Sequence, residues 1–351
     1  MGGIFVLAFL FIAVPAKPIW AFSPDEDLTA RAAVLMDAAS GKIIYQKEPD
    51  LRLPPASTTK IMTAILTLES GRSLAEKFTV SKEATRVPAS KLYLRAGQSL
   101  SIEELLYGIM LASANDAAVV LAEGVAGSVE HFGELMTKKA QDLGAINSHF
   151  TNPHGLTAVD HYSTAKDLAI LFRYAMKNPT FREIVQTKFS SVTTTAVVRK
   201  KVVPRRISVR NHNRLLWNFD GALGGKTGYT DDAGQTFVGA ANHDGRRLMA
   251  VLLHGTRQPI APWEQAAHLL DYGFSTPQGT QVGTLIEPDP SLMTTRHDGA
   301  ADRQGAGAQA AGLMPSADAL PVRVGVAVIG TIIVFGLIMV ARSMNSRPHH
   351  R

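Results

Sequence analysis

Two serines and two lysines are the residues best equipped for chemistry in this chain. They fall in three short segments, Ser57-Thr58-Thr59-Lys60, Ser113-Ala114-Asn115 and Lys226-Thr227-Gly228. A serine hydroxyl is a weak nucleophile until a base takes its proton. A lysine three residues on, one helical turn away, shares its face and can reach it. That amine acts as a base only when its pKa is lowered by burial or a second cation, and Lys226 is the candidate cation. Ser113 is placed to relay a proton to a leaving amine, and Asn115 to orient Lys60 and hold a substrate amide. Lys226 and Thr227 offer a cation and a hydroxyl to a carboxylate, while Gly228 lets a substrate approach the backbone of a strand edge. The backbone N–H groups of Ser57 and Tyr229 are the expected oxyanion hole. The chemistry implied is acyl transfer through a serine ester, with neither histidine nor carboxylate activating the nucleophile.

Ser-x-x-Lys and Ser-x-Asn are short enough to recur by chance, and both do. Ser163-Thr164-Ala165-Lys166 repeats the first pattern and Ser343-Met344-Asn345 the second. Order, separation and flanking residues therefore discriminate. Ser163 is expected to act as the N-cap of a helix rather than as a nucleophile.

The positioning elements follow from local pattern. Residues 32–36 and 42–46 read as strands joined at Ala39-Ser40-Gly41. Pro54 and Pro55 block any upstream helix, and a helical pattern starts at Ser57 with Ile61, Met62, Ile65 and Leu66. Ser101 and Glu104 form a capping box for a helix through Met110. A further helix covers 129–143 and stops at Gly144. Residues 189–203 are β-rich, and 236–241 and 248–254 are strands. A last helix covers 263–272 and is expected to stop at Gly273. Strands, a helical insertion, then strands and a helix make an α/β sandwich with a helical subdomain.

The flanks of the motifs carry a resemblance. Pro55-Ala-Ser-Thr-Thr-Lys-Ile-Met-Thr-Ala64, Met110-Leu-Ala-Ser-Ala-Asn-Asp-Ala117, Thr151-Asn-Pro-His-Gly-Leu156 and Gly225-Lys-Thr-Gly-Tyr-Thr230 closely resemble the serine D-alanyl-D-alanine carboxypeptidases. These are the low-molecular-mass penicillin-binding proteins, and the likeness runs from about residue 32 to 274. It implies the β-lactamase/transpeptidase-like fold, an antiparallel sheet flanked by helices. It also implies that Ser57 attacks the D-Ala-D-Ala bond of peptidoglycan stem peptides, that D-alanine leaves, and that β-lactam antibiotics acylate the same serine. By the same likeness Arg257, in His254-Gly-Thr-Arg257, joins Thr227 at the substrate's terminal carboxylate. The resemblance departs from many family members after the catalytic region, where they carry a β-rich spacer domain and an amphipathic helix.

Alternatives are weighed by residues. A class A β-lactamase shares the three motifs but needs a glutamate to activate the deacylating water. Between Glu134 and Lys226 only Glu183 is available, without an asparagine four residues on, and the middle motif is Ser-Ala-Asn rather than Ser-Asp-Asn. An endopeptidase of the same family, cutting cross-links, differs only in substrate shape. A non-catalytic peptidoglycan-binding homologue is disfavoured because every nucleophile, base and relay position is filled. His154, in a Gly-containing turn, is read as a structural hydrogen-bonder and Trp217 as packing.

Composition bounds the rest. The 351 residues are 46% hydrophobic and contain no cysteine, which removes disulfides, thiolate metal sites and a cysteine nucleophile. No cofactor and no metal are implied. The net charge of +6 is modest and partly local, with Arg199, Lys200, Lys201, Arg205, Arg206, Arg210 and Arg214 in one segment, read as a solvated hairpin. No nucleic-acid partner is expected.

Both ends carry apolar segments. Residues 1–21 are expected to be a signal peptide or an uncleaved N-terminal anchor. The catalytic domain is assigned to 22–276 and a flexible linker to 277–321, where Ala, Gly, Asp and Pro abound. Residues 322–342 hold an uncharged run from Val324 to Ala341, of the ~17–25 residues that span a bilayer. Arg342, Arg347 and Arg351 make 343–351 the cytoplasmic tail. The expectation is a single-pass protein of the bacterial cytoplasmic membrane, its catalytic domain on the periplasmic or extracellular side.

Overall fold

The computed structural model describes residues 22–198 and 201–284. After a short helix α1 (Pro24–Asp27), strands β1 (Ala32–Asp37) and β2 (Lys42–Lys47) form the expected hairpin. Asp37 holds its turn, with Oδ1 accepting from the Ala39 and Ser40 N–H groups at 3.1 and 2.8 Å. A 3-10 turn (Ala56–Thr59) runs directly into α2 (Lys60–Glu69). The helical insertion contains β3 (Lys77–Thr79), α3 (Lys82–Arg86), β4 (Ser99–Ser101), α4 (Ile102–Leu111), α5 (Asn115–Ala126), α6 (Val129–Asp142), α7 (Ala165–Ala175) and α8 (Pro179–Gln186). The chain returns to strands as a long hairpin, β5 (Phe189–Val198) and β6 (Lys201–Arg210), and a short α9 (Leu215–Asn218). Three antiparallel strands follow, β7 (Ala222–Thr230), β8 (Gly234–His243) and β9 (Arg246–Gly255), then α10 (Pro262–Ser275) and β10 (Gly283–Thr284).

The main sheet is antiparallel in the order β10-β2-β1-β9-β8-β7. Its central strands are apolar at consecutive positions because both faces are covered. Ala32, Val34 and Met36 of β1 enter the larger core with α2, α4, α5 and α7. Ala33 and Leu35 enter a second core against Ala266, Leu269 and Leu270 of α10. Each large apolar side chain so buried contributes ~1.5–3 kcal/mol. The chain leaves the sheet after β2, builds the helices over one face, and returns at β7, which is therefore an edge strand. Its Lys226-Thr227-Gly228 segment faces the helical insertion across that edge.

The capping box at α4 is present in both directions, with Glu104 N donating to Ser101 Oγ at 3.1 Å and Ser101 N to Glu104 Oε2 at 3.0 Å. Three local expectations need correction. The α-helix expected from Ser57 begins at Lys60, and Ser57 lies in the preceding 3-10 turn. Thr164, not Ser163, caps α7, accepting from Asp167 N at 3.0 Å. Ser163 is fully buried and its hydroxyl meets Ser148 Oγ at 2.8 Å. Gly273 does not end the last helix, which continues to Ser275. A Cβ there would lie 2.6 Å from Leu35 Cδ2 and 2.7 Å from Leu248 Cδ1, so glycine lets the helix seat on the sheet.

The basic segment forms the β5–β6 hairpin, with Lys201 and Arg206 exposed and Arg206 Nε donating to Ser191 Oγ at 2.7 Å. Arg199 and Lys200 lie outside the described residues, as do the expected N-terminal signal, the transmembrane segment and the tail. The sheet runs past residue 276, since Gly283 pairs with Ile43. Among the described residues no helix is long and apolar enough to cross a membrane.

Candidate active site

Ser57 is presented by a turn held from several sides. Ala56 before it has φ +48°, a left-handed conformation unusual for a residue with a side chain. The Pro55 carbonyl is held by two hydroxyls, Thr58 Oγ1 at 2.6 Å and Thr236 Oγ1 at 3.0 Å. On the far side Thr59 Oγ1 is 2.9 Å from His161 Nε2. His161 Nδ1 accepts from the Thr151 N–H at 3.0 Å, so its proton sits on Nε2 and is donated to Thr59. Burial first, then the charges of His149 and Lys60, lowers the His161 pKa to about 4. This histidine is a neutral strut.

Lys60 is completely buried, and its Nζ lies 2.9 Å from Ser57 Oγ, 2.8 Å from Asn115 Oδ1 and 2.7 Å from the His154 carbonyl oxygen. Burial drives its pKa well below the ordinary lysine value, the Lys226 charge pushes the same way, and Asp116 opposes. A neutral amine has two hydrogens and one lone pair. Asn115 Oδ1 and the His154 carbonyl accept the two hydrogens, which leaves the lone pair for the Ser57 hydroxyl. His154 contributes its backbone, not its ring. Its Nδ1 accepts from Leu156 N at 3.2 Å, and burial, Lys60 and His161 lower its pKa to about 3. The turn that delivers this carbonyl needs glycine at 155, where φ is +85° and a Cβ would lie 1.8 Å from the Ala56 oxygen.

Ser113 and Asn115 come from the junction of α4 and α5. Ser113 adopts φ +58°, which turns the chain so that α5 begins at Asn115. Asn115 is fixed by its neighbours, Nδ2 donating to the Pro88 carbonyl at 2.9 Å and its N–H to the Ser90 carbonyl at 2.7 Å. Asp116, fully buried, accepts from Leu92 N at 3.0 Å and Leu94 N at 3.1 Å and so ties that loop to the helix. Lys226 Nζ is 3.0 Å from Ser113 Oγ and 2.7 Å from the Thr227 carbonyl. Burial lowers its pKa to about 7. Two serines thus each touch one buried lysine.

Gly228 is where β7 meets the nucleophile turn. A Cβ there would lie 2.4 Å from Thr236 Oγ1 and 2.7 Å from Ser57 N. Tyr229 is exposed, and its hydroxyl donates to Asp231 Oδ1 at 2.9 Å. Thr227, Tyr229 and Arg257 share the wall of an open cleft of about 330 Å³. All nine sequence-derived site residues therefore border one locale, seven at the junction and Tyr229 and Arg257 at its outer end. Trp217 lies outside it, packed edge-on to Phe189 at 5.0 Å. Among the described residues no group of three or more His, Asp or Glu is placed to hold a metal ion.

The D-alanyl-D-alanine carboxypeptidase family, peptidase S11, matches residues 20–257 of this sequence. The chain belongs to that family. Among curated D-alanyl-D-alanine carboxypeptidases, DacF of Bacillus subtilis is 36% identical over 250 residues, covering 70% of this chain and 62% of that protein. DacB2 of Mycobacterium tuberculosis is 35% identical over 266 residues, 75% of this chain and 88% of that protein. The crystal structure of a D-alanyl-D-alanine carboxypeptidase from Mycobacterium tuberculosis superposes with a TM-score of 0.67 at 34% identity, covering 74% of this chain and 96% of that one. The Streptomyces K15 DD-transpeptidase gives 0.66 at 34% identity, over 71% and 98%. The fold of this family member is thus the penicillin-binding, DD-peptidase fold expected from its motifs.

Sequence reasoning overlooked several contributors. Asp116 had a signal, an acid in the first turn of a helix directly after Asn115. Thr236, His161 and the His154 carbonyl had none, because their roles depend on contacts between segments far apart in the chain.

Proposed function

We propose that this family member is a serine D-alanyl-D-alanine carboxypeptidase that removes the terminal D-alanine from peptidoglycan stem peptides. The observation that carries the reading is the Lys60 amine, buried beside Ser57 Oγ with both its hydrogens spoken for. In acylation the Ser57 Oγ–carbonyl carbon bond forms as the Ser57 proton passes to Lys60 Nζ. The peptide C–N bond then breaks as the proton taken up by Lys60 passes through Ser113 to the departing D-alanine amine, which leaves Lys60 neutral again. The Ser57 and Tyr229 N–H groups stabilise the oxyanion, and Lys226, Thr227 and Arg257 receive the carboxylate. Water then attacks the ester, loses a proton to Lys60, and releases the shortened peptide as Ser57 regains its hydrogen. β-Lactams acylate the same serine and inhibit.

Placement at the cytoplasmic membrane rests on sequence, namely the uncharged run 324–341 followed by Arg342, Arg347 and Arg351. On this reading residues 1–21 direct export, 22–276 together with β10 form the catalytic domain, the rest of 277–321 tethers it outside, and 322–342 anchor it.

The test is intact mass of the full-length protein after incubation with a penicillin, alongside assay of D-alanine released from a D-Ala-D-Ala peptide. The expected result is a slowly clearing penicilloyl adduct on Ser57 together with released D-alanine. Rapid penicillin turnover without peptide cleavage would instead identify a β-lactamase.

A further inference from the structure

The cleft beyond Thr227 holds more positive charge than one terminal carboxylate uses. Arg214 and Arg257 both line it, with His212, Thr227 and Tyr229, and neither aspartate nor glutamate does. Among the described residues neither arginine side chain has a hydrogen-bond or ion-pair partner. Arg214 has only a ring contact, 5.8 Å over Trp263. Both are nevertheless presented by fixed backbone. Asn211 and Asn213 are buried beneath the segment that carries Arg214. Asn211 Nδ2 bonds the Val185 and Thr187 carbonyls at 3.1 and 3.0 Å, and its Oδ1 accepts from Asn213 N at 2.9 Å. Asn213 Oδ1 accepts from Leu215 N at 3.0 Å. The alternation turns Asn211 and Asn213 inward and leaves His212 and Arg214 exposed. Opposite, buried Gln265 bonds Thr29 N at 3.0 Å and the Ile260 carbonyl at 2.8 Å. Thr256 N donates to Thr29 Oγ1 at 3.0 Å, which sets the loop carrying Arg257.

One guanidinium satisfies a carboxylate with two parallel N–H···O bonds. With Arg257 and Thr227 on the α-carboxylate of the leaving residue, a second arginine carried on held backbone in a cleft lined by no acid calls for a second anion. We propose that Arg214 is a subsite for a second carboxylate carried by the leaving D-residue. The enzyme would then release acidic leaving residues as well as D-alanine. The inference rests on the carboxypeptidase reading and on Arg257 serving the first carboxylate.

The test compares kcat/KM of the full-length enzyme on N-acyl peptides ending in D-Ala-D-Ala and D-Ala-D-Glu, beside penicillin acylation of Ser57. The wild type is expected to release D-glutamate within about tenfold of the D-alanine rate. Arg214→Ala should lower the ratio of D-Glu to D-Ala turnover about 10- to 100-fold, the range for a lost hydrogen bond to a charged group. Arg257→Ala should lower both substrates and leave the ratio within about threefold. Equal loss on both substrates in Arg214→Ala would mean that both arginines clamp one carboxylate, and the subsite falls. The subsite also falls if D-glutamate is released more than about 100-fold slower than D-alanine. Failure of penicillin to acylate Ser57 would remove the carboxypeptidase reading itself, and the subsite with it.

Discussion

The chain contains two Ser-x-x-Lys segments, and the fold treats them oppositely. At Ser57 the serine is half-buried at a junction of helix, turn and sheet edge, and its lysine is wholly buried with no carboxylate bonded to it. At Ser163 the serine is the buried partner, tied to Ser148 Oγ, while Lys166 reaches out to an ion pair with Asp50 at 3.6 Å. The same four-residue spacing gives a wholly buried amine in one place and a partly exposed, carboxylate-paired one in the other. What converts lysine into a base is its solvation. Burial, with the Lys226 charge nearby, lowers the Lys60 pKa well below the ordinary lysine value although Asp116 opposes it.

That contrast can be attacked directly. Ser57→Ala should abolish penicillin acylation and cut peptide turnover at least about 10³-fold, the scale on which loss of an acyl-forming serine falls. Ser163→Ala should leave acylation within about threefold and cost about 1 kcal/mol of stability for one lost hydrogen bond. Equal activity losses in the two variants would erase the distinction.

Lys60→Met and Lys166→Met form the second pair. The first should slow acylation by about 10²–10⁴-fold, the usual contribution of a general base. The second removes a partly exposed ion pair worth ~0–1 kcal/mol and should leave activity unaltered, as followed by stopped-flow acylation and thermal melts.

Lys226 sharpens the solvation argument through stability. Its folded pKa of about 7 lies below the unfolded value near 10.4, so the unfolded state binds more protons between those pH values. Its destabilising effect is then full below pH ~7 and fades as pH rises towards ~10. Lys226→Met should therefore raise stability by a few kcal/mol at pH 6, with the gain shrinking by pH 10, while turnover is lost. Denaturant titration at the two pH values checks this. A gain that grew with pH would overturn it.

A smaller change than at Lys226 is expected at Asp116. Asp116→Asn keeps one acceptor for the Leu92 and Leu94 N–H groups but removes a charge that raises the Lys60 pKa. The acidic limb of the acylation pH profile should move to lower pH, with a stability loss of about 1–2 kcal/mol.

Much of this was legible in the sequence because it was local. The capping box at Ser101, the β1–β2 hairpin and the three motifs are each written within a few residues. The misplaced features were also local patterns, but tertiary packing decided them. Gly273 has the form of a helix stop, yet its missing side chain accommodates Leu35 and Leu248. Ser163 looked like a cap until the next residue, Thr164, took that role. Nothing in the run 151–156 shows that the His154 carbonyl would hold one hydrogen of Lys60, since that contact joins positions 94 apart.

Strand β7 ends its sheet with one side unpaired, a geometry that in most proteins invites another copy to zip on. Here glycines in the strand let other segments pack tightly against it. The Val185 carbonyl sits 2.4 Å from where a Cβ on Gly224 would be, and the Ser57 amide 2.7 Å from one on Gly228. Gly224 and Gly228 thus let the Val185 carbonyl and the Ser57 amide come closer to β7 than any side chain at those positions would allow.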